Sequence, residues 1–550
     1  MSILTGASVV VLYLSLVPFI FLIIKTFSSP KGLFANYAKL ISSPLTIELL
    51  RNSCLFAAGS TVLTFLIGVG LAFLLVRTNT PFRGYFFSLS LIPMIMPAIL
   101  FNIAWIYLLS PRIGIINSAL KYAGLPVVFN IFSFGGMIFV ESLHLSPIVF
   151  LLMVATFRSI DPALEEAAVV SGAGMAGCFF RVTLPLAFPG LAAAGLISFV
   201  RALEAFETPA LLGVPVRIQV FTSRIYFALH SYPADIGMAS TYAMILVAFT
   251  SLGVYLISRF SKHSKKYATI TGKAFRPRLI DIGRWRYVAG GGLILYFLMM
   301  IGLPLFVLLW SSLQPFYTVK FLASLQNISL INYREVFHQP LITQSLINSL
   351  ILSLTTATAV MLLSSLVAWI VVRTKMRGRF ILDNLTALPM VFPGLVVGLA
   401  LMLTYIYIPL PIYGTLWILL IAYMTRYLPY GMRYVTPSML QIQPELEEAG
   451  HIAGATWREV FFLIILPLIK PGLLSGWIYI VTISIRELSS SILLYSPGSE
   501  VLSITIWEMW NNGQFVQLSA LGMMMIVLLV IITTIALYLS RHYGVREEAF

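Results

Sequence analysis

The chain has 550 residues, of which 59% are hydrophobic and only 10% are charged, and its mean hydropathy is +0.95. Soluble globular proteins carry about 25% charged residues, so this composition excludes an ordinary soluble protein and is typical of a chain that crosses a membrane many times. The formal net charge is +15, which by itself would also suit a nucleic-acid-binding protein.

Apolar runs of about twenty residues recur along the whole chain, separated by short polar or Pro/Gly-rich breaks. A membrane accepts only helices or closed barrels, and these runs lack the alternating pattern of barrel strands. We therefore predict an all-α integral membrane protein with about twelve transmembrane helices. The predicted spans cover roughly residues 6–26, 49–76, 86–109, 133–157, 186–205, 238–258, 287–310, 344–372, 382–406, 413–436, 468–488 and 516–540.

The positive charge is concentrated in residues 259–286, which hold nine Lys/Arg and one Asp. Such a loop belongs on the cytoplasmic side, and placing it there also puts Arg77 and Arg373 inside and leaves both termini cytoplasmic. A basic loop beside a membrane suits anionic lipid, and we expect no nucleic-acid partner. The first span has no basic leader or small-residue cleavage site, so we expect a retained helix and not a signal peptide.

The two halves of the chain repeat each other. The tripeptide VRT occurs at 76–78 and again at 372–374, an offset of 296 residues, and a later motif recurs at an offset of 282. Insertions confined to a loop are what a duplicated fold tolerates, so we predict two parallel six-helix repeats related by an axis along the membrane normal. The predicted parts are the first repeat (1–258), the basic linker (259–286) and the second repeat (287–550).

The most informative repeated segment is EAAVVSG at 166–172 and EAGHIAG at 448–454, each followed by nine residues and then VTLP or IILP. Glu and Ala favour helix, Asp161-Pro162 marks the first helix start, and the glycine that ends each segment permits a turn. We predict a short helix, a turn and a second short helix in each half. A compact helical knob with a carboxylate suits the transmission of force to a partner, although well-capped connecting helices would show the same local pattern.

The pattern Glu-Ala-Ala-x3-Gly-x9-Ile-x-Leu-Pro resembles the signature loop of permease subunits of bacterial ABC importers. The match is complete at 166–185 except for Val182, and at 448–467 except for Gly450. In that family the loop docks into a groove of a cytoplasmic ATPase, and a fused chain with two such loops looks most like the ferric-iron importer permeases. The coupling residues that the resemblance implies are Glu166, Ala167, Ala168, Gly172, Leu184, Pro185, Glu448, Ala449, Gly450, Gly454, Leu466 and Pro467.

The resemblance implies a fold like that of ABC type I importer permeases, in the bacterial inner membrane. It also implies partners: two copies of a cytoplasmic ABC ATPase and an extracytoplasmic solute-binding protein. No GxxxxGK[ST] phosphate-binding motif occurs in the sequence. We therefore expect ATP and Mg to bind the partner ATPase, and we expect this chain to hold no cofactor and no catalytic residue.

Charged residues at membrane depth cost about 2.5–3.5 kcal/mol on insertion scales, so each is a candidate for the solute path. The segments RALEAFETP (201–209) and IRELSSS (485–491) place acidic and basic side chains near the predicted outer end of the fifth span of each half. Their carboxylates could meet a cation with the arginines as partners; the alternative is ion pairs that only fix helix register. These path candidates are Arg201, Glu204, Glu207, Arg486 and Glu487.

Polar residues and prolines inside the spans give weaker signals. Glu141, a further path candidate, lies three residues before His144 on one face of the fourth span, which suits either a metal-ligand pair or a hydrogen-bonded pair between helices. With no other histidine nearby, we expect no firm metal site. We also expect kinks, with or without a gating role, at Pro93, Pro97, Pro389 and Pro393.

These features predict a fused permease subunit of an ATP-driven importer, with iron(III) as the leading solute by resemblance alone. Thiamine, phosphonate compounds and polyamines are alternatives within the same class. An ATP-independent transporter or channel would place charges at the midplane as a relay, whereas these charges collect at the predicted outer ends and in loops. The absence of HExxH, CxxC and GxSxG motifs disfavours a membrane-embedded enzyme.

Overall fold

A computed structural model describes residues 2–90, 92–126, 128–264, 279–319, 324–408 and 410–542. Within these residues the chain is mostly helical, and a single short β-bridge joins Thr78 and Ile280. The helices are α1 (Ser2–Phe27), α2 (Ala35–Ser42), α3 (Pro44–Ala72), α4 (Arg83–Leu89), α5 (Ala98–Leu109), α6 (Ile115–Tyr122), α7 (Phe134–Arg158), α8 (Pro162–Val170), α9 (Met175–Cys178), α10 (Leu184–Glu204), α11 (Phe221–His230), α12 (Ile236–Ser264), α13 (Trp285–Phe297), α14 (Leu303–Ser312), α15 (Ile331–His338), α16 (Pro340–Arg373), α17 (Arg379–Ala387), α18 (Gly394–Tyr407), α19 (Leu416–Leu440), α20 (Glu445–Ile452), α21 (Trp457–Glu459), α22 (Leu466–Leu468), α23 (Lys470–Ile485), α24 (Leu502–Asn511) and α25 (Phe515–His542).

Many of these helices suit a membrane. Among the described residues, eight helices are long and apolar enough to cross one, or up to 11 if each of three bent helix pairs counts as one span. The predicted span 413–436 corresponds to α19, which is long enough but is not among them. Its arginines and tyrosines make it less apolar than the others. The prediction of an all-α membrane protein is confirmed.

The third predicted span of each half is broken. Its two helical segments meet at 103° in the first half, and at 109° in the second half, where the break falls between Val391 and Gly394. Pro97 and Pro393 directly precede the second segment, and Pro93 and Pro389 lie in the 3-10 turn at the end of the first. Proline interrupts a helix because it cannot donate the backbone hydrogen bond that a continuous helix needs. The predicted kinks at these prolines are therefore confirmed as sharp breaks.

The described chain divides into two compact units. The first-repeat unit comprises Leu40–Phe227 and Ile245–Ile328, and the second-repeat unit comprises Met1–Lys39, Ala228–Met244 and Ser329–Phe550. In the first-repeat unit the long helices α3, α7 and α10 pack on one another, and α16, α19 and α23 do so in the second-repeat unit. Each unit therefore has a three-helix core built from corresponding parts of the sequence.

Glycines let these long helices approach closely. A β-carbon at Gly68 of α3 would lie 2.7 Å from a methyl group of Val149 on α7, and one at Gly476 of α23 would lie 2.9 Å from the sulfur of Met361 on α16. Small residues at helix contacts are usual in membranes, because lipid provides no hydrophobic force between helices. A larger residue at Gly68 or Gly476 would push its helix away from its neighbour.

The first long helix of each sequence half packs with helices of the other half. In the second-repeat unit α1 contacts α17 and α18, where the hydroxyls of Tyr13 and Tyr405 lie 2.6 Å apart. In the first-repeat unit α14 contacts α5, and Tyr296 of α13 hydrogen-bonds Ser146 at 2.9 Å. The sequence repeat did not predict this exchange, because a repeat specifies matching elements and not which copy each one packs against.

The predicted domain boundaries and the basic linker are only partly covered by the described residues. The division of the chain into 1–258, 259–286 and 287–550 stays a prediction. The compact units are a separate observation, and each of them takes segments from both sequence halves. Residues 265–278 of the basic linker lie outside the described residues. The part of the linker that follows them is described: Ile280 donates its backbone N–H to the carbonyl of Arg77 at 2.8 Å.

Candidate functional site

The first repeated motif folds as the predicted short helix and turn. Asp161 caps α8 by accepting the backbone N–H of Ala163 at 2.9 Å, and Pro162 occupies the first turn. At the other end Gly172 adopts φ +87°, and the N–H of Ala173 reaches back to the carbonyl of Ala168 at 3.0 Å. This is the Schellman ending, which requires a left-handed residue that glycine supplies without strain.

The second repeated motif has the same geometry. Gly454 adopts φ +88°, and the N–H of Ala455 bonds the carbonyl of Gly450 at 3.0 Å, which closes α20 as α8 is closed. At Gly450, where the family pattern has alanine, a β-carbon would lie 2.8 Å from Cδ1 of Ile464, so an alanine there would require that side chain to shift. A capping box between Thr456 and Glu459 then starts the next short helix.

Both short helices present an exposed surface with an aliphatic tip. Val170 of α8 is 88% exposed, and Ile452 of α20, 282 positions later, is 87% exposed. Each aliphatic tip lies on the same short helix as an exposed glutamate of the motif, Glu166 in α8 and Glu448 in α20. Of the predicted coupling residues, the exposed ones are Glu166, Ala167, Gly172, Pro185, Glu448, Ala449, Gly454 and Pro467, while Ala168, Leu184, Gly450 and Leu466 are half-buried.

The sequence prediction did not include Val170 and Ile452 among the coupling residues, although their equivalent positions in the two motifs could have indicated them. Val170 and Ile452 each stand two residues before the glycine of the motif, at positions the family pattern leaves open. Downstream, each motif continues through a π-helical turn into the next helix, which begins with Leu184-Pro185 in the first half and Leu466-Pro467 in the second. The predicted place of these prolines, within a first helical turn, is confirmed.

A buried ion pair lies directly behind α8, between residues that are distant in the sequence. Arg77, at the end of the π-helical turn that extends α3, is fully buried and pairs through Nη2 with Oε1 of Glu165. The same carboxylate oxygen accepts the hydroxyl of Thr183 at 2.6 Å. Among the described residues, Nε and Nη1 of Arg77 have no hydrogen-bond partner.

The corresponding pair lies behind α20. Nε of Arg373, the last residue of α16, is 3.0 Å from Oε1 of Glu447, and Nη2 also donates to the carbonyl of Met439 at 3.0 Å and to that of Ile442. Trp369 donates its indole N–H to the other carboxylate oxygen at 3.3 Å. The arginines are 296 positions apart and the glutamates 282, which are the offsets of the two sequence repeats.

The path candidates in the first-repeat unit lie around the end of α10. Arg201 and Glu204 form the expected pair, with 3.4 Å between Nη1 and Oε2. Glu207 is half-buried just beyond the helix. Glu141 is buried on α7 and accepts the hydroxyl of Thr208 at 2.6 Å, so the structure brings these carboxylates into one region of the unit.

In the second-repeat unit Glu487 pairs with an arginine of another helix. Its carboxylate accepts Nη1 of Arg426 at 2.6 Å and the hydroxyl of Tyr427 at 2.8 Å, instead of pairing with Arg486. It also accepts the backbone N–H and the hydroxyl of Ser490, both at 3.0 Å. Arg486 directly follows the last residue of α23, and adjacent residues at a helix end point in different directions, so the neighbour in sequence is not the neighbour in space.

No group of three or more His, Cys, Asp or Glu side chains within the described ranges is placed to hold a metal ion. Cys54 and Cys178 are free thiols. Outside the membrane-spanning helices, the pKa of Asp281 is lowered, because its carboxylate accepts the backbone N–H of Gly283 and then the side-chain amide of Asn79.

Comparison with known proteins places this architecture in a family. Residues 64–265 and 361–545 each match the family described as "Binding-protein-dependent transport system inner membrane component". The two matches include both α8 and α20 and together cover more than half of the chain. The chain belongs to this family. It is a multi-pass inner-membrane permease with two copies of the family domain, which confirms the predicted fold class and repeat.

Curated relatives share the fused arrangement. The permease is 28% identical over 504 residues to the "Ferric transport system permease protein FbpB" of Actinobacillus pleuropneumoniae, covering 90% of this chain and 71% of that protein. It is 23% identical to the "Fe(3+)-transport system permease protein FbpB 2" of Haemophilus influenzae, covering 96% of each. Among solved structures, a bacterial ABC transporter that imports the acidic polysaccharide alginate aligns with 46% of this chain and 90% of its own, at 23% identity and a TM-score of 0.39.

Proposed function

We propose that this permease imports iron(III) with energy from ATP hydrolysed on a separate ATPase polypeptide. Support for the solute comes from the names of its relatives, two of which are ferric transport permeases that align over at least 90% of this chain. Because the chain carries two copies of the family domain, it supplies both halves of a transmembrane path by itself. Iron(III) is the substrate here and not a resident cofactor.

The observation that supports binding of an ATPase is the pair of exposed short helices, α8 and α20. α8 and α20 present Val170 and Ile452 beside Glu166 and Glu448, as two similar knobs from equivalent places in the repeat. Two similar knobs fit two copies of one partner, which accounts for a pair of identical ATPase subunits. ATP and Mg then bind the ATPases, and this chain transmits their closure.

The orientation follows from charge. The basic linker and the arginines at the ends of α3 and α16 belong on the cytoplasmic side, which puts α8, α20 and both termini there as well. An extracytoplasmic solute-binding protein then delivers iron(III) to the opposite face. In this orientation the Arg201–Glu204 pair, with Glu207 and Glu141, lies toward the side at which the solute arrives.

The test is ATP-dependent uptake into liposomes that hold this chain with its ATPase, supplied with the loaded binding protein. Radiolabelled iron(III), thiamine and putrescine are compared at equal concentration, with a non-hydrolysable ATP analogue as the energy control. We expect accumulation of iron(III) only, and only with ATP. Uptake of thiamine or putrescine instead would keep the importer and replace the solute, whereas uptake that ignores ATP would overturn the coupling to an ATPase.

A further inference from the structure

We propose that two arginine–glutamate pairs, the first buried and the second with side chains 11% and 13% exposed, tie the coupling helices to the second span of each half and carry their movement to it. The first tether is Arg77–Glu165 and the second tether is Arg373–Glu447. This inference rests on the proposed function, since it takes α8 and α20 as the helices that ATPase subunits move. It assigns a positioning role to four residues outside the coupling residues predicted from the sequence.

The first tether is the main anchor of α8. Of the nine described residues of this helix, Glu165 is the only buried one, so the rest of α8 has little packing to hold it against the unit. A helix of this length is marginal by itself in water and needs tertiary contacts to persist. Its buried side chain, Glu165, binds the fully buried guanidinium of Arg77, at the end of the π-helical turn that extends α3, and the hydroxyl of Thr183.

The second tether holds α20 in the same way. Within the described helix no residue reaches full burial, and the side chain of Glu447 is 13% exposed where it meets Arg373. Arg373 also bonds the carbonyls of Met439 and Ile442, which close the end of α19. The guanidinium therefore joins three elements, namely α16, the end of α19 and α20.

The two tethers have the same ion pair but different supporting donors. Thr183 is a second hydrogen-bond donor to Glu165, whereas Trp369 is the hydrogen-bond donor to Glu447, whose 3.0 Å ion pair with Nε of Arg373 lacks hydrogen-bond geometry. Trp369 also stacks on Trp457 with ring centroids 5.9 Å apart. The arginine–glutamate pair recurs although the supporting donor differs between the two halves. This indicates that the ion pair itself is the feature that both halves share.

The ion pairs provide a second route by which force on a coupling helix can reach the membrane-spanning helices. Each coupling helix is joined covalently to the span before it and to the span after it, that is, to α7 and α10 in the first half. The tether adds α3, which has no covalent link to α8 nearby in sequence. A buried charge cannot leave its partner without a large desolvation cost, so α3 is expected to follow α8 when an ATPase displaces it. Among the described residues, the two unbonded nitrogens of Arg77 leave room for a second bonding arrangement during that movement.

The experiment measures coupling in the assembled transporter, reconstituted in phosphatidylethanolamine/phosphatidylglycerol vesicles. The variants are Arg77→Gln, Glu165→Gln and the double variant, with Arg373→Gln and Glu447→Gln for the second tether. Arg83→Gln and Arg377→Gln remove exposed arginines from the same side and serve as charge-matched controls. Iron(III) uptake and ATP hydrolysis are measured on the same vesicles and divided, so that the ratio is independent of how much protein folded.

We expect each tether variant to lower the uptake-to-hydrolysis ratio by about tenfold, and the double variant Arg77→Gln/Glu165→Gln to lower it no further, because the two residues act as one unit. The controls are expected to keep the wild-type ratio. A ratio unchanged in the tether variants would overturn the proposal, and so would losses that multiply in the double variant. A purely structural role lowers uptake and hydrolysis together and leaves the ratio unchanged.

Milder variants cover the case in which the arginine variants fail to fold. Thr183→Val and Trp369→Phe each remove one donor to the glutamate without changing charge, and we expect a fall in the ratio of about twofold to threefold. No change in either would count against the tether. If the wild-type chain itself does not bind the ATPase, the proposed function fails; if wild-type coupling is normal and the variants match it, only the tether fails.

Discussion

Nη1 of Arg426 lies 2.6 Å from Oε1 of Glu487, which ties α19 to the chain just beyond α23. Tyr427 and Ser490 supply the remaining donors to this carboxylate, so the buried charge is compensated from several directions. Gly394 opens α18 directly against the same guanidinium, where a β-carbon would clash. This arrangement fixes the break in the third span of the second half relative to the end of the fifth.

Replacing Arg426 by Met should destabilise the second-repeat unit, because Glu487 would keep its burial and lose its cation. A buried pair broken in this way typically costs about 3–5 kcal/mol. We expect a lower apparent Tm for the purified chain in detergent, measured by tryptophan fluorescence. Arg433→Met removes an exposed arginine from the same helix and should leave Tm unchanged. Adding Glu487→Gln to Arg426→Met should recover part of the loss, and no recovery would show that Arg426 stabilises through packing alone.

The carboxylates at the end of α10 should affect transport more than stability. Glu204→Gln with Glu207→Gln removes two charges from half-buried positions while keeping the shape of both side chains. If these groups meet the arriving cation, iron uptake should fall by about tenfold while ATPase binding is kept. Glu487→Gln is measured separately, because Glu487 accepts hydrogen bonds from Arg426, Tyr427 and Ser490 and its replacement should lower Tm as well as affect transport. Normal uptake in the Glu204/Glu207 double variant would favour the alternative in which Arg201 and Glu204 only fix helix register.

The sequence predicted the elements of this fold far better than their partners. Hydrophobic run length alone located nearly every span, because a lipid environment restricts the chain to helices of about twenty residues. The Schellman endings at Gly172 and Gly454 followed from local motif chemistry. The exchange of α1 and α14 did not, since apolar helix faces in a membrane differ little and their pairing depends on shape.

The candidate site shows the same limit. Arg77 and Arg373 were noted only as positive charges on the inner side, and Glu165 and Glu447 stood unremarked beside the motif glutamates. Their pairing required knowledge of which span end lies behind each coupling helix. Arg201 and Arg486 were named together as possible partners of the nearby carboxylates, whereas Glu487 pairs with Arg426 on another helix. Long-range ion pairs are not encoded in spacing, whereas caps and turns are.

The exposed tips of α8 and α20 should be essential for binding the ATPase. Val170→Asp with Ile452→Asp places charge where an apolar contact is expected, and Glu166→Arg with Glu448→Arg reverses the rim. Either pair should reduce co-purification of the ATPase by at least about tenfold, because desolvating an unpaired charge at an interface is costly. Membrane insertion, followed by detergent-extractable yield, should be unchanged. Retained ATPase binding in both pairs would contradict the assignment of these helices as coupling surfaces.

The glycines that end the two coupling helices should tolerate no β-carbon without strain. Gly172→Ala and Gly454→Ala each place alanine at a left-handed φ, for which L-residues pay about 1–2 kcal/mol. The helix ends should open, so hydrogen exchange should accelerate at the amides of Ala173 and Ala455, which close the two Schellman bonds. Gly174→Ala is the matched control, because Gly174 is exposed, has open space around it and has no left-handed backbone. Equal exchange in all three variants would show that the endings do not depend on glycine.

The linker segment that follows residue 278 should be held to α3 in a pH-dependent way. Asp281 has a pKa below its usual value because it accepts the N–H of Gly283 and then the amide of Asn79, so these bonds favour its charged form. A carboxylate with a lowered folded pKa stabilises at pH above its unfolded value and loses that contribution as pH falls through the folded one. We therefore expect the bridge between Thr78 and Ile280 to loosen only below about pH 4. The measurement is the hydrogen-exchange protection factor of the Ile280 amide, which donates to the carbonyl of Arg77. Asp281→Ala should lower the protection factor of that amide, the ratio of its intrinsic to its observed exchange rate at the same pH, at neutral pH and abolish the further loss of protection in acid, whereas an unchanged protection profile would mean that the bridge stands without the carboxylate.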